Sequence, residues 1–373
     1  ILPVRKMSLL SPASNNLEFK RNRVYFNHLV FFTAISVSLP IIDFVILGDV
    51  LTVGIVENRE QQTLQGRRGS LIGMFNIIFG GMPVLLASFL IIESRNTLGT
   101  YRTRLGWIFA SLGILTYALS GGRNGIFISL VILAIVKYLS RKRKPELKRK
   151  SIRKMFYSVA LLVMVLGFFI SIFIERSEVS GIDLTTSLYN LVDDFGADIE
   201  IRDFDSNFLN TTYAVLSLLL FYFNHSFAVL SAYFDTAFQE MTYGVLTFPL
   251  FYMFFDTFFG TSFYLDAVDK LILNGVYLSM VGYLYIDFGE IGLFFFACIL
   301  GFATTYLASR SFSVDHRTVQ YKILTTVTAV LLSSIVLSPI YNILAGHGLT
   351  VLFAIVIMAA SVKISNMTFR RSR

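Results

Sequence analysis

The segment Ser120-Gly121-Gly122-Arg123-Asn124-Gly125 has the composition of an anion clamp. Glycine-rich backbone running into a helix start leaves N–H donors at the positive end of the helix dipole. Arg123 adds a planar guanidinium that matches phosphate geometry. Arg123 and Asn124 are therefore substrate-binding candidates for a phosphate or diphosphate. The plainer use of the same residues is a glycine turn whose arginine reaches lipid headgroups.

A second stretch, Phe221-Tyr222-Phe223-Asn224-His225-Ser226-Phe227, can move a proton. Wound as a helix, it puts Phe221, His225, Ala228, Ala232 and Asp235 on one face. Tyr222, Ser226, Val229 and Tyr233 lie beside them. A histidine among small residues and an aspartate can serve as a general base, although a structural hydrogen bond is the simpler role. His225 is a catalytic candidate, and Tyr222, Asn224 and Asp235 are binding candidates.

In Tyr283-Leu284-Tyr285-Ile286-Asp287-Phe288-Gly289-Glu290, Asp287 followed by Glu290 reads as an N-cap with its capping-box partner. The same carboxylates can bind sugar hydroxyls or a basic partner, so Asp287 and Glu290 are candidates for the site. Tyr283 and Tyr285 suit an interfacial aromatic belt or a sugar-stacking surface. Arg176 and Arg202 stand alone in an acidic stretch, where they pair locally or reach a diphosphate. His347, between Gly346 and Gly348 at the outer turn of the last two helices, is a further substrate-binding candidate, with a structural role as the simpler one.

The elements that position these residues belong to a membrane. The 373 residues are 55% apolar and 15% charged, whereas soluble chains run near a quarter charged. The apolar residues fall in blocks of helix-spanning length. Strands alternating over about ten residues are missing, so the fold class expected is all-α, a polytopic helical bundle. Helices are predicted over 28–47, 71–92, 105–119, 126–139, 155–174, 287–308, 323–342 and 346–362. Pro40, Pro83 and Pro339 fall inside apolar runs and are expected to kink their helices.

Charge sets the orientation. Most of the 32 Lys+Arg fall in 1–27, 93–104, 137–154, 309–322 and 363–373. Assigning these segments to the cytoplasm puts both termini inside and the acidic 175–286 region outside. The organisation expected is then a cytoplasmic 1–27, and five spans over 28–174 with an extracytoplasmic 48–70 and a basic loop 140–154. The large outer region 175–286, three spans over 287–362 and a cytoplasmic tail 363–373 complete it. Within the outer region, 213–231 and 245–263 are apolar, but the stretch between them has no Lys or Arg. Interfacial or re-entrant helices are expected there in preference to two spans. The positive charge follows the loops, so nucleic acid is not an expected partner. A single cysteine, Cys298, excludes an intrachain disulfide and a zinc cluster. No dinucleotide or P-loop fingerprint is present, and no cofactor is expected.

The stretch from Tyr222 to Arg310 resembles the bacterial oligosaccharide repeat-unit polymerases of the Wzy type, the O-antigen and polysaccharide polymerases. The likeness rests on F-Y-F-N-H-S, on G-V-L-T-F-P at 244–249, on N-G-V-Y at 274–277 and on Y-I-D-F-G-E-I-G at 285–292. Ser120-Gly121-Gly122-Arg123-Asn124 is similar to the Ser/Thr-Gly-x-Arg element of these enzymes and of the related O-antigen ligases. The resemblance implies a metal-independent glycosyltransferase with the GT-C fold of lipid-linked-sugar enzymes. Its substrate is an undecaprenyl-diphosphate-linked oligosaccharide, and its place the bacterial cytoplasmic (inner) membrane with the active face extracytoplasmic. Arg123 with Arg176 or Arg202 then holds the leaving diphosphate, and His225 or Asp287 deprotonates the acceptor. A chain-length regulator protein is a further partner of such enzymes, with no mark of that contact here. Family members have more N-terminal helices, and the chain starts at Ile1, so a preceding piece is expected.

Rival classes remain. A ligase uses the same donor but carries several arginines in its outer loop, where this chain has only Arg176 and Arg202 over 175–212 and no arginine over 213–286. A flippase or transporter shows ionisable residues at mid-membrane, whereas here, Asp43 apart, they gather outside the predicted spans. A structural subunit of an assembly complex is the third alternative.

Overall fold

The computed structural model describes residues 12–42, 71–93, 98–118, 123–141, 241–271, 279–339 and 341–371, with scattered positions between 186 and 233. Every regular element among them is helical. In chain order these are α1 (Pro12–Pro40), α2 (Leu71–Phe79), α3 (Met82–Ile92), α4 (Thr100–Leu115), α5 (Arg123–Arg141), α6 (Pro249–Phe259), α7 (Phe263–Asp269), α8 (Met280–Ser313), α9 (Val319–Leu337) and α10 (His347–Arg371). Short 3-10 turns at Thr116–Ala118 and Ile343–Ala345 lead into α5 and α10. Phe75–Ile92, Asn124–Arg141, Met280–Ser313 and Val319–Leu337 are long and apolar enough to cross a membrane. The predicted span over 155–174 lies outside the described residues.

The interior is built around α3, whose residues are all buried except Ile91. A helix apolar on every side sits at the centre of a bundle, and α1, α4, α5, α9 and α10 pack around this one. The approach of α4 follows from its residue sizes. Its buried positions are Thr103, Gly106, Ala110 and Gly113, small residues on one face. A Cβ on Gly113 would lie 2.3 Å from the Pro83 ring, and one on Gly106 3.0 Å from Phe26. Small seams of this kind let helices pack closely where no water drives them together. Tyr101, Trp107, Ile108, Leu112 and Leu115 point outward from the same helix.

Along α8 the exposed side chains include Ile291, Phe294, Phe295, Ile299 and Phe302, with Ile291 and Phe302 each 75% exposed. A soluble monomer rarely exposes a contiguous apolar patch above a few hundred Å²; facing hydrocarbon, the same surface is at rest. On α9 the hydroxyls of Thr326, Thr328, Ser333 and Ser334 donate to the carbonyls of Lys322, Leu324, Ala329 and Val330 at 2.7–2.9 Å. Back-bonding to the preceding turn lets polar residues lie in an apolar setting.

Several boundaries differ from expectation. The predicted 71–92 helix is interrupted at Gly80 and Gly81, so Pro83 sits in the first turn of α3 and does not kink a continuous helix. Pro83 is tolerated there because a first-turn N–H has no intrahelical partner. α9 ends at Leu337, so Pro339 follows the helix and does not bend it. Over 245–263 there is no continuous helix. α6 ends at left-handed Gly260 (φ 66°), and the Asp256 carboxylate caps α7 by accepting from Phe263 N (3.0 Å) and Tyr264 N (2.9 Å). With 11 residues, α6 falls well short of a bilayer, as the interfacial reading expects. The 213–231 run lies largely outside the described residues.

Candidate functional site

Helix direction sorts the bundle into two ends. Lys20, Arg21 and Arg23 of α1, Arg102 and Arg104 of α4, Arg141 of α5 and Arg310 of α8 share one, the basic end. The starts of α5, α8 and α10 lie at the other, and the candidate residues that the structure describes gather there.

The glycine-arginine segment does open a helix: Arg123 and Asn124 begin α5, with Asn124 exposed. The side chain of Arg123 lies outside the described residues. Gly125, one position further, is buried where the first turn of α5 meets the start of α10. A Cβ built on it would sit 2.7 Å from Cε1 and Nε2 of His347 and 2.9 Å from Cγ of Tyr117. The Tyr117 and His347 rings meet edge to face at 4.8 Å, and the Tyr117 hydroxyl donates to the carbonyl of Gly80. For His347, a binding candidate at a turn, packing places the imidazole against the segment that opens α5. Only tertiary contact reveals this, since more than 200 residues separate them in the chain.

Gly125→Ala is expected to disrupt this junction. The added methyl meets both His347 and Tyr117 at less than van der Waals separation, and overpacking of this sort costs about 1–3 kcal/mol. A drop in the thermal midpoint in detergent checks it, and an unchanged midpoint would mean that the imidazole has room to move aside.

Asp287 takes a role different from the one expected. α8 opens at Met280, and its N-cap is Ser279, whose Oγ accepts from Gly282 N at 3.1 Å. Asp287 therefore lies about two turns inside the helix and is no N-cap for Glu290, which is exposed. The misreading has a local cause: Gly289 (φ 67°, ψ −171°) breaks α8 just beyond Asp287, so the sequence there resembles a helix start. The Asp287 side chain is fully buried. It accepts from the Thr242 hydroxyl, from Leu246 N at 3.3 Å and from Thr247 N at 2.6 Å, while its carbonyl accepts from Tyr243 N at 3.1 Å. These bonds wrap the 242–248 turn around the carboxylate. The turn needs left-handed backbone at Tyr243 (φ 51°) and Gly244 (φ 92°), and the fixed acceptors of Asp287 hold it there. A buried carboxylate engaged in this way positions backbone, and a base role does not fit its surroundings. The G-V-L-T-F-P and Y-I-D-F-G-E-I-G stretches are thus one packed unit.

Tyr283 and Tyr285 pack against Val245, Leu246, Ile286 and the fully buried Tyr233, as part of the support of that turn. An open sugar-stacking surface is not what their half-buried setting makes. The Asn342 amide donates to the carbonyl of Thr247 at 3.1 Å, and Met280 N donates to Ser338 O at 3.1 Å, so the chain leading to His347 is tied to the same unit. His225, Tyr222, Asn224, Asp235, Arg176 and Arg202 lie outside the described residues.

One polar cluster has no counterpart in the sequence reading. Toward the basic end, the Lys322 ammonium pairs with the Glu93 carboxylate and donates to Asn22 Oδ1 at 2.7 Å. The Asn22 amide donates to Arg317 O at 2.9 Å, and the ammonium stands 4.3 Å from the centre of the Phe89 ring. Lys322 is 2% exposed. It had been counted among loop cations because basic residues flank it on the N-terminal side. A signal was available: Lys322 falls on the face that continues through Thr325, Thr326 and Ala329, all buried.

Compared with models of known protein families, with curated proteins and with solved structures, the chain shows no match.

Proposed function

We propose that this chain is a polysaccharide polymerase of the membrane glycosyltransferase kind, acting on undecaprenyl-diphosphate-linked repeat units at the extracytoplasmic face of a bacterial cytoplasmic membrane. The observation that supports it is the meeting, at the end away from the basic segments, of the glycine-arginine start of α5 with the imidazole of His347. In the reaction, the bond between the donor sugar's anomeric carbon and the diphosphate oxygen breaks. The acceptor hydroxyl oxygen forms the new bond to that carbon, its proton passes to a base, and undecaprenyl diphosphate leaves. The first turn of α5 and Arg123 stabilise the charge that develops on the diphosphate. His347 lines the same helix start, and His225 is the base, Asp287 being engaged in holding the 242–248 turn.

The test is purified protein with a polyprenyl-diphosphate-linked oligosaccharide, resolved on a gel. A ladder of longer products is expected, and no ladder with a proven native substrate sinks the polymerase reading. Arg123→Ala is expected to lower elongation about 10²–10³-fold, the range for removing one preorganised donor from a developing negative charge, with expression unchanged. Wild-type chain lengths in that variant would refute the clamp. Transfer to a lipid A-core acceptor in place of elongation would mark a ligase.

A second reading, a flippase or transporter for lipid-linked oligosaccharide, has one observation in its favour. Lys322 and Glu93 are ionisable groups buried within the bundle, and such groups mark transport pathways. Transbilayer movement of the lipid without any ladder would favour it.

A further inference from the structure

The hydroxyls of this bundle fall into two kinds. Those of Ser129, Thr304, Thr326, Thr328, Ser333 and Ser334 bond back to their own helices at 2.6–2.9 Å. Those of Thr33, Ser88 and Thr325 are equally buried and have no partner among the described residues, nor has the hydroxyl of Tyr25. In helices the back-bond is available to any serine or threonine through a side-chain rotation. A hydroxyl that forgoes it at a buried position is directed at something else.

These four groups stand on three helices that pack against one another, α1, α3 and α9. The Tyr25 ring stacks on Phe89 at 5.6 Å, and Lys322 stands over the same ring at 4.3 Å. Ser88 is the neighbour of Phe89, and Thr325 lies one turn along α9 from Lys322. Thr33 is about two turns beyond Tyr25 on the same face of α1. Unpartnered oxygens thus stand on α1, α3 and α9, three helices in mutual contact that also carry the Lys322–Glu93–Asn22 cluster.

We infer that the space between α1, α3 and α9 beside this ion pair is a water-filled inlet, reached from the basic end through Glu93 and the Arg317 segment. Water is the ligand these groups select. A buried water makes about three hydrogen bonds to groups that otherwise lack partners, and a hydroxyl offers it both a donor and an acceptor. The inlet brings the aqueous phase to a buried charge pair, which gives protons and small hydrophilic ions a route into the bundle. This activity does not depend on the polymerase reading.

The inlet is tested by X-ray radiolytic footprinting of the full chain in lipid nanodiscs, where hydroxyl radicals form from the waters themselves and mark the side chains beside them. Tyr25 and Phe89, 1% exposed, are expected to oxidise at rates approaching that of Tyr101, 77% exposed. Met82 is fully buried in the same helix as Phe89 and carries a more reactive side chain, so it supplies a stringent dry control. Rates at Tyr25 and Phe89 no higher than at Met82 overturn the inlet. Thr325→Val removes one hydroxyl at nearly constant shape and is expected to slow oxidation of Tyr25 and Phe89 several-fold while Met82 stays protected. Unchanged rates at Tyr25 and Phe89 in that variant overturn the assignment of Thr325. Should the variant unfold, Met82 becomes reactive, and the wild-type comparison still decides.

Discussion

Asp287→Ala is expected to lower the thermal midpoint sharply and to open the 242–248 turn to proteolysis. The substitution removes the acceptor of the Thr242 hydroxyl and of the Leu246 and Thr247 amides at a fully buried position. Each donor left unpaired costs about 1–3 kcal/mol, and the left-handed backbone at Tyr243 and Gly244 loses the bonds that hold it. Asp287→Asn keeps the shape and one carbonyl oxygen, but its amino group must face an N–H or hydroxyl donor. An intermediate loss is expected. The pair of variants separates positioning from proton abstraction. A base would lose elongation in Asp287→Asn with the midpoint and protease resistance intact. A positioning residue loses all of them together, and partial activity returns on cooling.

The second large effect is at the basic end. Lys322→Met is expected to cost about 3–5 kcal/mol, because removing one partner leaves the other charge buried and uncompensated. The Glu93 carboxylate then has no ammonium, and Asn22 Oδ1 loses its donor. Glu93→Gln strands the ammonium over Phe89 in the same way. The double variant removes both charges and is expected to recover most of the loss, because no buried charge is left uncompensated. Midpoints of the four proteins in one detergent form a double-mutant cycle. Losses that simply add would show that the pair contributes no coupling between α3 and α9.

The two sites differ in how much of them could be read beforehand. Helix identity was legible nearly everywhere, since a backbone in lipid must satisfy its own hydrogen bonds and apolar runs announce where that happens. The glycine-arginine segment was legible as a helix entry, although α5 starts at Arg123, three residues before the expected 126. The start of α3 and the end of α9 were not, as Pro83 and Pro339 can kink a helix or border one, and only neighbours choose between them. For Gly81 the neighbour is α10. A Cβ on Gly81 would lie 2.3 Å from the carbonyl oxygen of Thr350, so the chain breaks where two backbones touch.

Composition and charge order by themselves determined an all-helical membrane chain with one basic end, and they placed the glycine-arginine segment and His347 at the other. These properties are sums over many residues or follow from local backbone chemistry, so no contact is needed to read them. Tertiary structure alone decided that Gly125 rests against His347, that Asp287 holds a turn from inside a helix, and that Lys322 finds Glu93 within the bundle. Each is a pairing across a long stretch of chain, governed by packing and by the need to satisfy a buried polar group, and neither term is visible in a residue's local sequence.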